Sequence, residues 1–193
     1  MDSPSGLTVI IRAVAVARIQ ASGSGNGGGG KPPQPPTGAA NGRPEWWPDN
    51  VVSLNRQPAG TQGRVTIPTD LNRGDAPKPH ELATMARLAE MGFDPDFNRV
   101  STVDGVKTAD ITMEQLLWEM KSPQGASPNT ISHQLSRIVK QADRGVIDLA
   151  RTPLDEVVVV DVVQNRLRSD SKLKEIIVVF RDGSGVRIIS PVK

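Results

Sequence analysis

Three charged residues in the middle of the chain, Asp110, Glu119 and Lys121, have the types and spacing of a site that cleaves phosphodiester bonds. If Glu114 and Gln115 form a two-residue turn, the flanking residues are predicted to pair as a β-hairpin in which Asp110 lies opposite Glu119. Two carboxylates in that arrangement repel each other unless something positive lies between them. Lys121, two residues farther on, lies on the same side of its strand as Glu119.

A divalent cation between the two carboxylates would remove this repulsion, and hard oxygen ligands of this kind favour Mg²⁺ or Mn²⁺. The metal and the lysine together would stabilise charge that develops at phosphorus and help to activate an attacking water. We therefore predict Asp110 and Glu119 as metal ligands, and both of them with Lys121 as catalytic residues. The alternative is a surface hairpin whose acids face solvent and pair with Lys121.

The two faces of the predicted hairpin provide an independent check on its register, because side chains alternate along a strand. One face is apolar throughout and carries Ile111, Met113, Leu116, Trp118 and Met120. The other face carries the three charged residues together with Thr112 and Leu117. This division is expected of a hairpin that has one side on a hydrophobic core.

Further candidate site residues lie in the helices predicted before and after the hairpin. Glu81 lies in the first turn of the first helix, where an acid interacts favourably with the helix dipole. His133 and Gln134 open the second helix and are further accessory candidates. The polar side of that helix is predicted either to contact RNA phosphates or simply to be solvated, and it carries Arg137, Lys140, Gln141 and Arg144.

The composition divides the chain into two parts. Gly and Pro are concentrated before about Ala76, in stretches such as SGSGNGGGGKPPQPPTG, which cannot bury enough apolar surface to offset the entropy lost on ordering. We interpret residues 1–75 as a disordered linker with a candidate fragment of an upstream domain at its start, and residues 76–193 as one folded domain. Trp46 and Trp47 are predicted to cap a core edge or to dock on a partner.

Several classes of protein are made improbable by the composition. The chain has no cysteine, which argues against a disulfide framework, a thiolate zinc site and a cysteine nucleophile. It has no tyrosine and few other aromatic residues, which argues against a base-stacking surface for single strands. The apolar run from Gly6 to Ala17 is too short to span a membrane and lacks a preceding basic region, so neither membrane insertion nor a signal peptide is predicted.

Hydrophobic periodicity predicts a single α/β (α+β) domain with a mixed sheet flanked by helices. The order of elements is helix, three strands, helix, strand, helix and two strands. The segment between Val51 and Lys78 is predicted to be coil because Pro, Gly, Asn and Asp recur in it. The three consecutive strands are placed at 98–103, 108–113 and 116–121.

The predicted helices have the following limits and faces. The first begins near Pro79, ends at Gly92, and is expected to bury Leu82, Met85, Ala86 and Ala89. The second begins at Ser127 and Pro128 and precedes a buried strand at 146–149. The third begins at a Thr152 cap, with an apolar stripe of Leu154, Val157, Val158, Asp161, Val162 and Asn165. A closing hairpin is predicted to turn at Asp182 and Gly183.

The stretch KTADITMEQLLWEMKSP resembles the motif of the PD-(D/E)xK nuclease superfamily. From Glu81 to about Ile189 the chain is similar to the C-terminal tRNA-nuclease domain of CdiA-type contact-dependent growth-inhibition toxins. The resemblance rests on LAEMGF, WEMKSPQGASPNTISHQL, KQADRGVIDL and the closing hairpin. One departure is Ala109, where the superfamily motif usually has proline.

The resemblance implies a secreted or delivered toxin that cleaves tRNA in the cytoplasm of target cells, with Asp110, Glu119 and Lys121 as catalytic residues and Glu81 as a further acid from the first helix. It also implies a cognate immunity protein, and a monomer or toxin–immunity heterodimer. Three other functions remain open from the residues alone. They are a metal-independent RNase that uses the 2′-hydroxyl with His133 and Lys121, a DNA nuclease with the same site, and an interaction module without activity.

Overall fold

The computed structural model describes residues 50–71, 74–99 and 108–191, which form one seven-stranded sheet with three α-helices. The strands are β1 (Val51–Asn55), β2 (Asp96–Phe97), β3 (Ile111–Met113), β4 (Leu116–Lys121), β5 (Arg144–Asp148), β6 (Glu175–Val179) and β7 (Gly185–Ile189). The helices are α1 (Pro79–Glu90), α2 (Pro128–Ile138) and α3 (Glu156–Ser169), and a 3-10 turn spans Leu149–Arg151. Residues 1–49, including Trp46 and Trp47, lie outside the described residues.

The sheet is mixed, with the strand order β1-β7-β6-β5-β4-β3-β2. Strands β4, β5 and β6 are parallel, and the remaining neighbours are antiparallel. Helices α2 and α3 make the two crossovers of this parallel centre and cover one face with Ile131, Leu135, Val159 and Val163. Helix α1 covers the other face with Met85, Leu88 and neighbouring Met91. The predicted mixed α+β domain and its order of elements are therefore confirmed.

One strand precedes the predicted elements. Val51–Asn55 pairs with β7 along its whole length, from Val51 opposite Ile189 to Asn55 opposite Gly185, so the coil prediction is wrong for these five residues. Val51 is fully buried and Val52 is exposed, as expected of an edge strand with one face on the core. The strand is too short to show a period, and its partner lies at the other end of the domain.

The limits of three strands, β2, β3 and β5, differ from those predicted from the sequence. The strand predicted at 98–103 is found two residues earlier, at Asp96–Phe97, and residues 100–107 lie outside the described part. Strand β3 begins at Ile111 and not at Thr108. The limits of β4 agree with the prediction, and β5 begins two residues before its predicted start.

Helix α1 begins at Pro79 and is closed by Gly92, whose φ of 95° lies in the left-handed region. Its buried face differs from the predicted one. Leu82 and Ala86 are exposed, and the side facing the sheet carries Thr84, Met85, Leu88 and Ala89. The prediction counted apolar residues alone, whereas Thr84 is buried because its hydroxyl donates to Asp148 Oδ2 at 2.7 Å.

Helix α3 forms as predicted, despite the valine run that also favours a strand. Its N-cap is Asp155, which accepts a hydrogen bond from the Val157 amide at 2.9 Å, so the predicted cap at Thr152 is wrong. The predicted stripe is wrong at Val157 and Val158, which are more than one third exposed, whereas Leu154 is buried and Val162 packs against the core. The buried side carries Val159, Val160, Val163, Gln164 and Leu167. None of the described helices is long and apolar enough to cross a lipid bilayer.

The closing hairpin turns at Asp182 and Gly183 as predicted, and Gly183 has a φ of 71°. Asp182 holds this turn by accepting from the Ser184 amide and hydroxyl at 2.9 and 2.8 Å. These bonds lower the pKa of Asp182. The hairpin places β7 between β6 and β1 and thereby completes the sheet.

Candidate active site

The β3–β4 hairpin has the predicted register. Ile111 lies opposite Trp118 and Met113 lies opposite Leu116. The two turn residues, Glu114 and Gln115, have φ values of 51° and 64°, which are the left-handed values that a two-residue type I′ turn requires. These are unusual residues for that turn, since Asn and Gly adopt it at lower cost. The burial of the reverse face, of which Ile111, Met113, Trp118 and Met120 are 5% exposed or less, offsets that cost.

Asp110 leaves the strand ladder one residue before β3. The paired residues end at Ile111, and the Met120 amide of β4 donates to Asp110 Oδ2 at 2.7 Å. The carboxylate therefore takes a backbone donor of the neighbouring strand. This bond, more than direct cross-strand pairing, holds Asp110 beside Glu119, and the two carboxyl groups are close enough to interact.

Asn98 forms hydrogen bonds with Asp110 and with two residues near it in the chain, Ala109 and Thr112. Its main-chain N–H donates to the Asp110 carbonyl at 2.9 Å, and its side-chain Nδ2 donates to the Ala109 carbonyl at 3.0 Å. Its Oδ1 accepts from the Thr112 hydroxyl at 2.8 Å. Sequence reasoning missed Asn98 because it was treated as the start of a weak strand. Its proximity to Asp110 arises from the pairing of β2 with β3.

Glu119 projects from β4 towards the side of the sheet that carries α2, and its residue exposure is 1%. Its Oε1 accepts hydrogen bonds from Lys121 Nζ and from Gln141 Nε2. Its Oε2 has no hydrogen-bond partner within the described part of the chain. A buried carboxylate oxygen without a donor is costly, so this atom is suited to an added ligand such as a cation.

Gln141 contacts Glu119, although sequence reasoning placed it among the phosphate-binding residues. It lies in the turn that follows α2. Gly145, opposite Glu119 on the neighbouring strand β5, allows this approach. A Cβ atom at position 145 would lie 2.6 Å from Ile138 Cδ1, so the end of α2 packs closely over this point only because the residue is glycine.

Burial determines the protonation of the acid pair. It raises the pKa of Glu119 to about 7, an increase that the hydrogen bond from Lys121 opposes and the charge of Asp110 reinforces. Burial also raises the pKa of Asp110, against the lowering effects of the Met120 amide and of Lys121. The charge of Glu81 adds to the increase at Asp110. The protein therefore holds a proton on the pair near neutral pH more readily than two solvated acids would.

A basic pocket of about 400 Å³ adjoins the acid pair. It is lined by Lys121, Arg137, Lys140 and Gln141, two of which also bind Glu119. Three cationic side chains around one opening form an environment that suits a phosphate group. The pocket and the carboxyl pair thus share one wall, with Lys121 between them.

The other candidate residues have different surroundings. Glu81 accepts from the Lys78 amide at 2.8 Å and closes a capping box at the start of α1. His133 is exposed on α2, and Gln134 beside it is half-buried. Arg144 is the first residue of β5, not part of the helix, and it pairs with Asp143 at 2.8 Å and Glu175 at 3.8 Å. Lys140, Gln141 and Arg144 all lie beyond the end of α2 at Ile138, so their predicted placement on the helix is wrong.

The acid pair fits a divalent cation in its donor chemistry. Asp110 and Glu119 offer carboxylate oxygens, and Glu119 Oε2 is buried without a hydrogen-bond donor among the described residues. Lys121 supplies the positive charge that currently stabilises the pair. Among residues 50–71, 74–99 and 108–191, no group of three or more histidine, aspartate or glutamate side chains lies close enough together to hold a metal ion.

Comparison with known protein families matches residues 107–184 to the contact-dependent growth inhibition CdiA C-terminal domain. This segment of the chain is similar to that family. The predicted resemblance to a CdiA C-terminal domain is thereby confirmed over this segment. The matched segment runs from before β3 to the start of β7, so it contains the acid pair, Lys121 and the basic pocket.

A solved structure described as the CdiA-CT/CdiI toxin and immunity complex from Burkholderia pseudomallei is similar to this chain. The two chains are 20% identical, and the similarity covers 65% of this chain and 99% of the other, with a TM-score of 0.49. The search of curated proteins found no match.

Proposed function

We propose that this domain is a metal-assisted endoribonuclease that cleaves tRNA at the Asp110, Glu119 and Lys121 site. The observation that carries the proposal is the buried Glu119, bound by Lys121 and adjacent to Asp110, with one carboxylate oxygen left without a donor among the described residues. A solvated surface hairpin would not bury its acid to 1% exposure. We retain the PD-(D/E)xK assignment of the core as part of this proposal.

In the proposed reaction Asp110 and Glu119 would hold Mg²⁺ or Mn²⁺ through carboxylate oxygens. The cation would supply Lewis-acid stabilisation and a more acidic water. Lys121 donates hydrogen bonds to a non-bridging phosphate oxygen and stabilises the negative charge that grows on it. Gln141 keeps its bond to Glu119 Oε1 and so holds the carboxylate in place while Lys121 turns to the substrate.

The basic pocket supports a nucleic-acid substrate, because a polynucleotide presents a further phosphate next to the one that is cut. Arg137 and Lys140 are placed to bind this neighbouring phosphate, since they line the pocket together with Lys121. The family resemblance supports tRNA as the substrate. It also supports delivery of the domain into target cells and a cognate immunity protein that binds it there.

We expect the double replacement Arg137→Ala/Lys140→Ala to weaken tRNA binding by about 10- to 100-fold at low salt, because two phosphate contacts are lost. The measurement is the dissociation constant as a function of salt concentration, whose logarithmic slope should become shallower by about 1 to 2. The matched control is Arg168→Ala/Lys172→Ala, which removes the same charge from exposed positions in and after the end of α3. Equal weakening by both double variants would contradict a pocket-specific contact.

Cation binding is expected to depend on pH, because the pKa of Glu119 is raised to about 7 and a ligating carboxylate must be deprotonated. The affinity for Mn²⁺ should increase by about tenfold per pH unit below 7 and level off above it. Calorimetric titrations in two buffers of different ionisation enthalpy would show proton release below pH 7. An affinity that is constant from pH 5 to pH 8 would contradict this coupling.

The proposed activity is tested by inducing the full 193-residue chain in cells and sequencing the RNA ends that appear. New ends within tRNA are expected from the native chain and not from a Lys121→Met variant. A synthetic substrate with a 2′-deoxy nucleotide at the cut should still be cleaved, because water and not the 2′-hydroxyl attacks. Cleavage that requires the 2′-hydroxyl, or an absence of new tRNA ends, would overturn the proposed mechanism or substrate respectively.

A further inference from the structure

We propose that Asn98 is a positioning residue that takes the Ala109 carbonyl out of the β3–β4 ladder, which leaves the Met120 amide to bind the Asp110 carboxylate and present it to the ligand of the acid pair. The role of Asn98 in catalysis rests on the proposed function. The evidence is the set of three hydrogen bonds that Asn98 makes to the residues around Asp110. Asn98 lies outside the segment that matches the CdiA C-terminal domain.

The ladder geometry shows what Asn98 changes. Bonded pairs alternate along an antiparallel hairpin, and the pair next to a two-residue turn is bonded, so Ile111 and Trp118 form the second bonded pair. The third would join the Met120 amide to the Ala109 carbonyl. Instead the Ala109 carbonyl accepts from Asn98 Nδ2 at 3.0 Å, and the Met120 amide donates to Asp110 Oδ2 at 2.7 Å.

This exchange of partners connects Asn98 to the chemistry of the site. By occupying the Ala109 carbonyl, Asn98 leaves the Met120 amide available to the Asp110 side chain. That amide fixes one of the two oxygens of Asp110, so the carboxylate has a defined orientation beside Glu119. The second bond, from the Thr112 hydroxyl to Asn98 Oδ1 at 2.8 Å, fixes which way the Asn98 amide faces.

The structure offers a graded set of variants. Asn98→Ala removes both side-chain bonds, whereas Thr112→Val keeps the shape of the residue and removes only the hydroxyl that orients Asn98. Thr112→Ser retains that hydroxyl and should rescue the effect. Asn50→Ala is the matched control, because Asn50 Nδ2 also donates to a backbone carbonyl, that of Ser190 at 2.6 Å, next to the β1–β7 pairing.

The experiment measures three quantities on the full chain, namely Mn²⁺ affinity, cleavage rate, and the Asp110 carboxyl pKa by carbon NMR without metal. We expect Asn98→Ala to weaken Mn²⁺ binding by about 10- to 100-fold and to raise the Asp110 pKa, with a smaller change in Thr112→Val. Thr112→Ser should stay within about twofold of the native chain. Asn50→Ala should alter the melting temperature alone.

Two results would overturn the inference. One is an Asn98→Ala variant with a lowered melting temperature but native Mn²⁺ affinity and Asp110 pKa, which would make Asn98 purely structural. The other is a Thr112→Val variant indistinguishable from the native chain in all three quantities. If the native chain neither binds Mn²⁺ nor cuts RNA, the proposed function fails, and the Asp110 pKa still decides whether Asn98 positions the carboxylate.

Discussion

Replacing Glu119 with glutamine is expected to reduce tRNA cleavage by at least about 10³-fold and, in the absence of metal, to make the fold more stable above neutral pH. The loss of activity follows from the loss of a charged metal ligand. The gain in stability follows from burial, because the carboxylate is expensive to ionise where it lies, and glutamine has no charge to bury. Glutamine can still accept hydrogen bonds from Lys121 and Gln141.

The pKa of Glu119 determines how the stability of the fold changes with pH. The pKa of Glu119 is raised from its ordinary value near 4.5 to about 7 in the folded chain, so between these values the folded state binds more protons than the unfolded state. Stability from this group is present below about pH 4.5 and is lost as the pH rises through 7. Glu119→Gln should remove this decline and gain on the order of 2 kcal/mol at pH 8.

Urea unfolding at pH 5 and pH 8 in the presence of a chelator measures this effect, with cleavage assayed in parallel. Glu114→Gln is the matched control, since it makes the same chemical change at an exposed turn position of the same hairpin. It should alter neither quantity. A Glu119→Gln variant that is less stable at pH 8, or that keeps more than about a tenth of the cleavage rate, would contradict the account.

Replacing Lys121 with methionine should also abolish cleavage, but with the opposite effect on stability. Lys121 is the cation that pairs with the buried Glu119, and its side chain is 20% exposed against 1% for that of Glu119. Removing one partner leaves the other charge buried without compensation, which should cost roughly 2 to 3 kcal/mol at pH 8. The cost should shrink at pH 5, where Glu119 is protonated and no longer needs the cation.

The double variant Glu119→Gln/Lys121→Met provides the decisive comparison for this ion pair. Its stability at pH 8 should return close to that of Glu119→Gln, because the buried charge that made the lysine necessary is gone. Chemical unfolding of the four proteins of this cycle gives the coupling energy between the two residues. Additive effects would show that the two side chains do not interact, contrary to their contact in the structure.

Features that depend on the alternation of apolar and polar residues along a strand were predictable from the sequence. The hairpin register followed from the apolar face of β3 and β4, and the structure has that register. The proximity of Asp110 and Glu119 was expected on the same basis. The hydrogen bond from the Met120 amide was not, because the alternation rule assumes a regular ladder and Asp110 lies just outside it.

Features that depend on distant partners were not predictable. Strand β1 gains its partner from β7 at the far end of the domain, and Asn98 reaches Asp110 through the β2–β3 pairing. Gln141 appeared as one more polar residue near a helix end. It contacts Glu119 because Gly145 allows α2 to pack closely over β5. The hydrophobic periodicity of the sequence does not predict that contact.

The measurement that tests the central claim most directly is cleavage of purified tRNA by the full chain after removal of divalent cations. We predict no cleavage in excess chelator and recovery of cleavage when Mg²⁺ or Mn²⁺ is restored. The Glu119→Gln variant should not recover cleavage at any metal concentration. Full cleavage in excess chelator would contradict the role of the Asp110 and Glu119 pair as metal ligands.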